Sequence, residues 1–486
     1  MLFNSFSFLV FFPVVVLVLF IIPRRFRSVW LLIASYWFYM SWNPKYAVLI
    51  GLSTVITYFS GIMIEKADTD RGRKAVVAFS LVSNLGILAL FKYANFVLDT
   101  VSAVCGRFGV STGGMHLDLL LPVGISFYTF QALGYTLDVY RGTISSEKNI
   151  INYALFVSFF PQLVAGPIER SGNLLRQIRS IKELQLYEYA RVRDGFLLML
   201  WGYFQKLVIA DRASILVHRV FDHYRDYGLA ELCVASVLFA FQIYCDFSGY
   251  TDIARGAARV MGFSLTDNFL QPYFAVNIKD FWRRWHRSLT SWFTDYLYIP
   301  LGGSRKGLAR YYINIIIVFA VSGLWHGASW HFVAWGLIHA GYRIAGDVKK
   351  RLAGKLRNGE PRISFIRRLG KCVITFALVD FAWIFFASDS VHMALGILRR
   401  MGTEIRTTGL FRLGLDRTDW IVLIAALVIL FLVDLLHEKG LVIAALVEKQ
   451  VFPVRGLIWL CLVWGIILLG IYGAGYDTSQ FIYFQF

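Results

Sequence analysis

Nine histidines punctuate the 486-residue chain, at positions 116, 218, 223, 286, 326, 331, 339, 392 and 437. His326, His331 and His339 fall inside an apolar stretch, where a polar ring is costly unless it is paired or faces a cavity. His326 sits in Ser322-Gly323-Leu324-Trp325-His326-Gly327-Ala328-Ser329-Trp330-His331, whose small residues permit close helix approach or a narrow channel. Burial disfavours the imidazolium, so a neutral His326 could take the proton of an alcohol as that alcohol attacks an acyl carbon. A buried ring donating one structural hydrogen bond fits the spacing equally well. His286, in Phe281-Trp282-Arg283-Arg284-Trp285-His286-Arg287, is kept neutral by the same cations that surround it. It could orient an acyl donor or line its path, or be an interfacial amphipathic residue. A metal site is not expected. His326 and His331 lie five apart, about 140° around a straight helix, and HExxH and Cys/His clusters are missing from the sequence. The five cysteines are scattered singles that read as packing residues.

The elements that must position these rings are membrane spans. Hydrophobic residues make up 57% of the chain and charged ones only 16%, with mean hydropathy +0.58. Soluble proteins carry about a quarter charged residues, so a soluble globule is excluded. The 17% aromatic content excludes disorder, and five cysteines are too few for a secreted disulfide scaffold. The apolar segments are long and continuous without period-two alternation, which favours helices over a barrel. The expected fold is an all-α polytopic membrane protein. Its spans fall at 6–22, 28–42, 46–64, 75–98, 119–137, 194–215, 229–250, 311–328, 330–346, 371–387, 419–436 and 456–475. Residues 1–22 lack a basic leader and a cleavage site, and read as a retained first span rather than a signal peptide.

The formal charge is +18. The excess cations lie mainly between spans, where contact with anionic lipid explains them better than nucleic acid does. Arg24, Arg25 and Arg27 place the first loop in the cytoplasm and the N-terminus outside. Alternation then puts 65–74, 169–193, 253–310 and 347–368 in the cytoplasm and the C-terminus outside. His116, His218 and His223 fall in expected external loops. Residues 150–168 are long enough to cross, yet both flanks want the same side and Pro161, Gly166 and Pro167 interrupt a helix, so a re-entrant pair is expected. Residues 267–310 interleave aromatics with Arg283, Arg284, Arg287 and Asp280. They suit either the membrane interface or a vestibule for an anionic substrate. Gln131 and Tyr135, Gln162, and the run Gln242 to Asp252 sit at span edges and read by default as interhelical hydrogen-bonding groups. The alternative for Asp246 is a pair with an arginine of 283–287. The chain shows neither an internal repeat nor a soluble domain.

Several motifs together resemble the membrane-bound O-acyltransferase superfamily and, within it, the alginate O-acetyltransferase AlgI group. They are Pro161-Gln162-Leu163-Val164-Ala165-Gly166-Pro167-Ile168, Cys245-Asp246-Phe247-Ser248-Gly249-Tyr250-Thr251-Asp252, Asn268-Phe269 to Pro272-Tyr273, Asp280 to His286, Trp292 to Gly303 through Tyr298, and Gly323-Leu324-Trp325-His326-Gly327. The resemblance covers essentially the whole chain. It implies a ring of about 11–12 tilted helices, with re-entrant and interfacial pieces around a thinned core, in one domain over 1–486. Within that domain, 1–137 would supply N-terminal helices and 371–486 C-terminal ones. The catalytic core would be 138–368, with the His-bearing hairpin at 311–346. It also implies acetyl transfer from cytosolic acetyl-CoA, a substrate rather than a resident cofactor, to an extracytoplasmic glycan at a bacterial cytoplasmic membrane. An SGNH-type partner protein commonly passes the acetyl group on.

By the same resemblance His326 and His286 are the catalytic pair, and Arg283, Arg284, Arg287, Trp285 and Trp325 line the acyl-CoA vestibule. Asp246, Ser248, Gln162, Asn268 and Tyr298 are supporting positions. The similar DltB group moves D-alanine to teichoic acid, but the Ile299-Pro300-Leu301-Gly302-Gly303 run and the Phe484-Gln485-Phe486 ending look more like the AlgI group. A transporter or flippase is the alternative from another class, since broken segments and midplane polar groups suit transport too.

Overall fold

The computed structural model describes residues 1–110, 116–119, 121–164, 166–354, 364–405, 407, 409 and 413–472. The Phe484-Gln485-Phe486 ending, the expected external C-terminus and Ala165 lie outside the described residues. Among those described, all regular structure is helical. Each expected span is matched by a helix, and seven helices among the described residues are long and apolar enough to cross a bilayer. The chain is an all-α, multi-pass membrane protein.

One unit comprises Met1–Phe196 with Ala254–Thr266. It holds α1 (Phe6–Ile21), α2 (Arg27–Met40), α3 (Tyr46–Lys66), α4 (Asp70–Leu88), α5 (Ala94–Arg107), α6 (Ile125–Tyr140), α7 (Ile150–Ser158), α8 (Phe160–Leu163), α9 (Ser171–Arg179) and the start of α10 (Tyr189–Tyr203). A π-helical turn at Ala89–Tyr93 joins α4 to α5, so the expected 75–98 span becomes one 38-residue run from Asp70 to Arg107.

Close packing and interhelical hydrogen bonds, rather than hydrophobicity, bind helices to one another in lipid. In this unit Ser53 donates to Asn84 at 2.6 Å and Tyr153 to Thr57 at 2.7 Å. Gly61 on α3 lets the Tyr135 ring of α6 lie against the backbone, since a Cβ there would stand 2.6 Å from its hydroxyl. The 150–168 segment is broken as its prolines and glycines demand. α7 ends at Ser158, Phe159 turns extended at ψ 110, and α8 is a single turn with Pro161 near its start. The side-chain amides of Gln131 and Gln162 both donate to the Phe156 carbonyl, at 2.6 and 2.8 Å.

The other unit comprises Leu197–Ile253 with Asp267–Phe486. After the end of α10 come α11 (Asp211–Asp222), α12 (Leu229–Val260), α13 (Ile278–Arg284), α14 (Arg287–Phe293) and α15 (Leu308–His326). Then follow α16 (Trp330–Gly354), α17 (Phe365–Ala387), α18 (Val391–Thr403), α19 (Arg417–Glu438), α20 (Ile443–Glu448) and α21 (Phe452–Leu469). α12 continues to Val260 instead of ending near 250, its residues from Ala254 on belonging to the first unit, where Ala254, Ala257 and Ala258 are buried. α19 and α21 leave Ile421, Val428, Leu457 and Trp464 exposed, as a lipid-facing surface requires.

The 311–346 hairpin is the tightest element of this unit. Gly323 and Gly336 face each other across α15 and α16, and a Cβ on either would fall 2.2 Å from a carbonyl oxygen of the opposite helix, Phe332 O and Phe319 O respectively. A Cβ on Gly327 would meet the Phe332 ring at 2.0 Å. The small residues read from sequence as permitting close approach are therefore required for it.

Candidate functional site

α15 ends at His326 because Gly327 turns extended (φ −159, ψ 150), with its N–H returning to the Gly323 carbonyl at 3.3 Å. The hairpin thus fixes His326 at a helix terminus, 4% exposed. Trp325, Trp335 and Phe386 surround its ring at centroid distances of 4.9, 5.1 and 5.3 Å.

His286 lies 6.5 Å away, ring to ring, and Trp325 contacts it at 5.7 Å. It occupies the junction of α13 and α14 at φ 42, ψ 55. A non-glycine residue in the left-handed region stores strain of order 1–3 kcal/mol, of the kind that clusters at functional sites. The neighbouring bonds explain how it is held. The Asn268 side-chain oxygen accepts from the Ser288 N–H at 3.2 Å and the Ser288 hydroxyl at 2.9 Å, so its third partner, His286 Nδ1 at 3.1 Å, must donate as well. That fixes the neutral tautomer with hydrogen on Nδ1 and the lone pair on Nε2. Complete burial pushes the His286 pKa below its ordinary 6.5, which favours this neutral ring.

Two cavities flank α15. One, of about 490 Å³, is lined by the cations Lys279, Arg283, Arg343 and Arg351 beside Trp282, Phe319, Tyr298, Tyr311 and Ser322. Arg343 also donates to the Tyr311 hydroxyl at 3.0 Å, and Asp347 bridges Arg343 and Arg351 on one face of α16. The other, of about 420 Å³, is lined by Gly327, Ser329, His331, Phe332 and Phe386 together with His218, Asp222, Gln242 and Asp389. Ser322, in the last turn of α15, therefore lines the basic cavity and Gly327, just past its end, the acidic one; His326 lies between them in the chain and is not among the residues lining either.

Of the residues singled out from sequence, the structure gathers His326, His286, Trp325 and Asn268 in one place, and brings Arg283 and Tyr298 to the basic cavity. Trp285 is packed in the aromatic core against Phe281 at 5.4 Å and Trp383 at 5.1 Å. Arg284 is engaged by Glu438 at 2.6 Å and Asp280 at 3.2 Å, and Arg287 is not among the residues lining either cavity. Ser248 is buried on α12. In place of the arginine offered as its alternative partner, Asp246 pairs with Lys206 at 2.6 Å, and Lys206 also holds Asp211 at 2.8 Å, all three buried. A π-helical segment, Phe204–Ala210, turns Lys206 inward towards α12.

His218 is corrected too, since it lies on α11 rather than in a loop and reaches the acidic cavity. His339 accepts the Trp282 indole N–H at 3.3 Å within a cluster of rings, which is a core role. Sequence reading passed over Lys279, Arg343, Arg351, Asp222 and Asp389. The eight-residue interval of Arg343 and Arg351 on one helix face was the available signal. Among the described residues, no cluster of three or more His, Cys, Asp or Glu side chains could hold a metal ion.

Residues 143–355 match the family model of the membrane-bound O-acyltransferase family. The chain is 34% identical over 401 residues to a peptidoglycan O-acetyltransferase of Helicobacter pylori, covering 77% of this chain and 74% of the relative. It is 36% identical over 392 residues to a probable alginate O-acetylase AlgI of Pseudomonas aeruginosa, covering 80% and 72%. A teichoic acid D-alanyltransferase of Bacillus subtilis is 26% identical over 294 residues, covering 57% and 71%.

Proposed function

The chain belongs to the membrane-bound O-acyltransferase family, in its AlgI-like group, and from that premise we propose that it moves an acetyl group from acetyl-CoA to a hydroxyl destined for an extracytoplasmic polysaccharide. Alginate and cell-wall glycans are both acceptors of this kind, and an SGNH-type protein is the expected partner for onward transfer. Family membership makes the protein an acyltransferase, and the transporter alternative has no comparable support.

The observation that supports the reading is that Ser322, four residues before His326, lines a basic cavity while Gly327, the residue after it, lines an acidic one. Acetyl-CoA is a polyanion whose nucleotide cannot be desolvated in lipid at acceptable cost. In this reading the basic cavity opens to the cytoplasm, as the cation-rich loops 253–310 and 347–368 require. Lys279, Arg283, Arg343 and Arg351 hold the phosphates while the pantetheine arm carries the thioester inward.

The acceptor hydroxyl arrives through the opposite cavity. The His326 imidazole takes its proton as the oxygen attacks the thioester carbon. The tetrahedral intermediate then expels the CoA thiolate, which recovers that proton and leaves as free CoA. Trp325, Trp335 and Phe386 pack around the His326 ring and hold it in place. His286, with Nδ1 committed to Asn268, positions the donor beside it.

Replacing His326 with alanine should lower transfer of labelled acetyl groups by about 10²–10⁴-fold, the usual share of a general base, without loss of membrane insertion or thermal stability. Turnover at the wild-type rate in a folded variant would defeat the assignment. Offering purified protein acetyl-CoA against a D-alanyl-charged carrier protein separates this reading from D-alanyl transfer.

A further inference from the structure

The cavity beside Gly327 carries information about the acceptor, on the premise of the acyl-transfer reading above. Its ionisable lining includes the carboxylates Asp222 and Asp389, with no lysine or arginine among its lining residues. Gln242 lines it while 4% exposed, and its side-chain oxygen has no hydrogen-bond partner. His331 donates through Nδ1 to the Phe385 carbonyl at 3.1 Å, which leaves Nε2 as the accepting nitrogen of a neutral ring. These groups accept hydrogen bonds and therefore call for a ligand that donates them. Phe239 and Phe332 add apolar ring surface to the same wall.

We propose that this cavity admits an uncharged, hydroxyl-bearing sugar unit and turns away a uronate. Sugar hydroxyls would satisfy Gln242, the carboxylates and His331, and the C–H face of the ring would rest on the phenylalanines. A uronate carboxylate would meet two like charges with no lining lysine or arginine to pair with. Acidic polysaccharides then depend on relay through an uncharged carrier alcohol.

The test compares a β-1,4-linked glucose tetramer with a mannuronate tetramer on the purified full chain in lipid nanodiscs, both by calorimetric binding and as acetyl acceptors. The neutral tetramer is expected to bind at least about tenfold more tightly, the combined effect of two like-charge contacts at about 4 Å in a water-like dielectric, since Asp222 and Asp389 are both exposed. In the Asp222→Asn/Asp389→Asn double variant the gap should close to within about threefold, chiefly through tighter uronate binding. Asp389→Asn alone serves if the double variant fails to fold. Equal or tighter uronate binding by the wild type overturns the proposal, as does a gap that survives both substitutions. A serine-containing peptide bound in preference to both sugars also overturns it. Selective sugar binding without acetyl transfer to any acceptor would sink the acyl-transfer reading and leave the charge filter standing.

Discussion

His286 is held in a backbone conformation that few non-glycine residues adopt, and one side-chain oxygen, that of Asn268, accounts for its orientation. Asn268→Ala would leave the Nδ1–H of His286 and two donors of Ser288 buried without that acceptor. A cost of about 1–3 kcal/mol is expected for such unsatisfied groups, read as a lowered midpoint of thermal unfolding in detergent together with reduced acetyl transfer. A variant as stable as wild type would show that other contacts hold the ring. Much of this site was legible from residue type alone. Histidines in apolar or aromatic settings are costly, so His326 and His286 stand out by residue type and setting. The tautomer was not legible, because it depends on which of several donors share the Asn268 oxygen. Nor was the partner of Asp246: Lys206 lies forty positions earlier, on a π-helical stretch that hydrophobic periodicity does not reveal.

The helices themselves were the most readable level. Apolar length dictates a span, and the prolines and glycines of 150–168 dictate a break, as α7 and α8 bear out. Boundaries were read less well where polar residues remain helical, as in the extension of α12 to Val260. The α15–α16 hairpin yields a sharper expectation. With backbone carbonyls 2.2 Å from the would-be Cβ atoms of Gly323 and Gly336, Gly323→Ala must push the helices apart. Overpacking of this kind costs about 1–3 kcal/mol or more, and the displacement moves His326 relative to His286. Gly341 on α16 has open space around it, so Gly341→Ala is the control and should be neutral in both stability and activity. Equal effects from the two alanines would mean that helix separation is not what positions His326.

Across the molecule the sequence indicated a cationic cytoplasmic region but not its geometry. Of the arginines picked out at 283–287, only Arg283 lines the basic cavity, while Arg343 reaches it from a helix read simply as a span and Arg351 from that helix's continuation into the expected cytoplasmic stretch 347–368. Such convergence depends on tertiary packing that spacing along the chain does not encode. An Arg283→Ala/Arg343→Ala variant should raise KM for acetyl-CoA by about tenfold or more, with a smaller change in kcat, since the lost contacts act on bound phosphates rather than on the reacting atoms. The same KM should rise with salt in the wild type. The most direct test of the whole account uses sealed proteoliposomes, with labelled acetyl-CoA on one side only and acceptor on the other. Acetyl groups should appear on the acceptor across the bilayer, only with donor on the face bearing Arg283 and Arg343, and not with His326→Ala. Acetylation only of acceptor on the donor's own side, or undiminished transfer by His326→Ala, would contradict it.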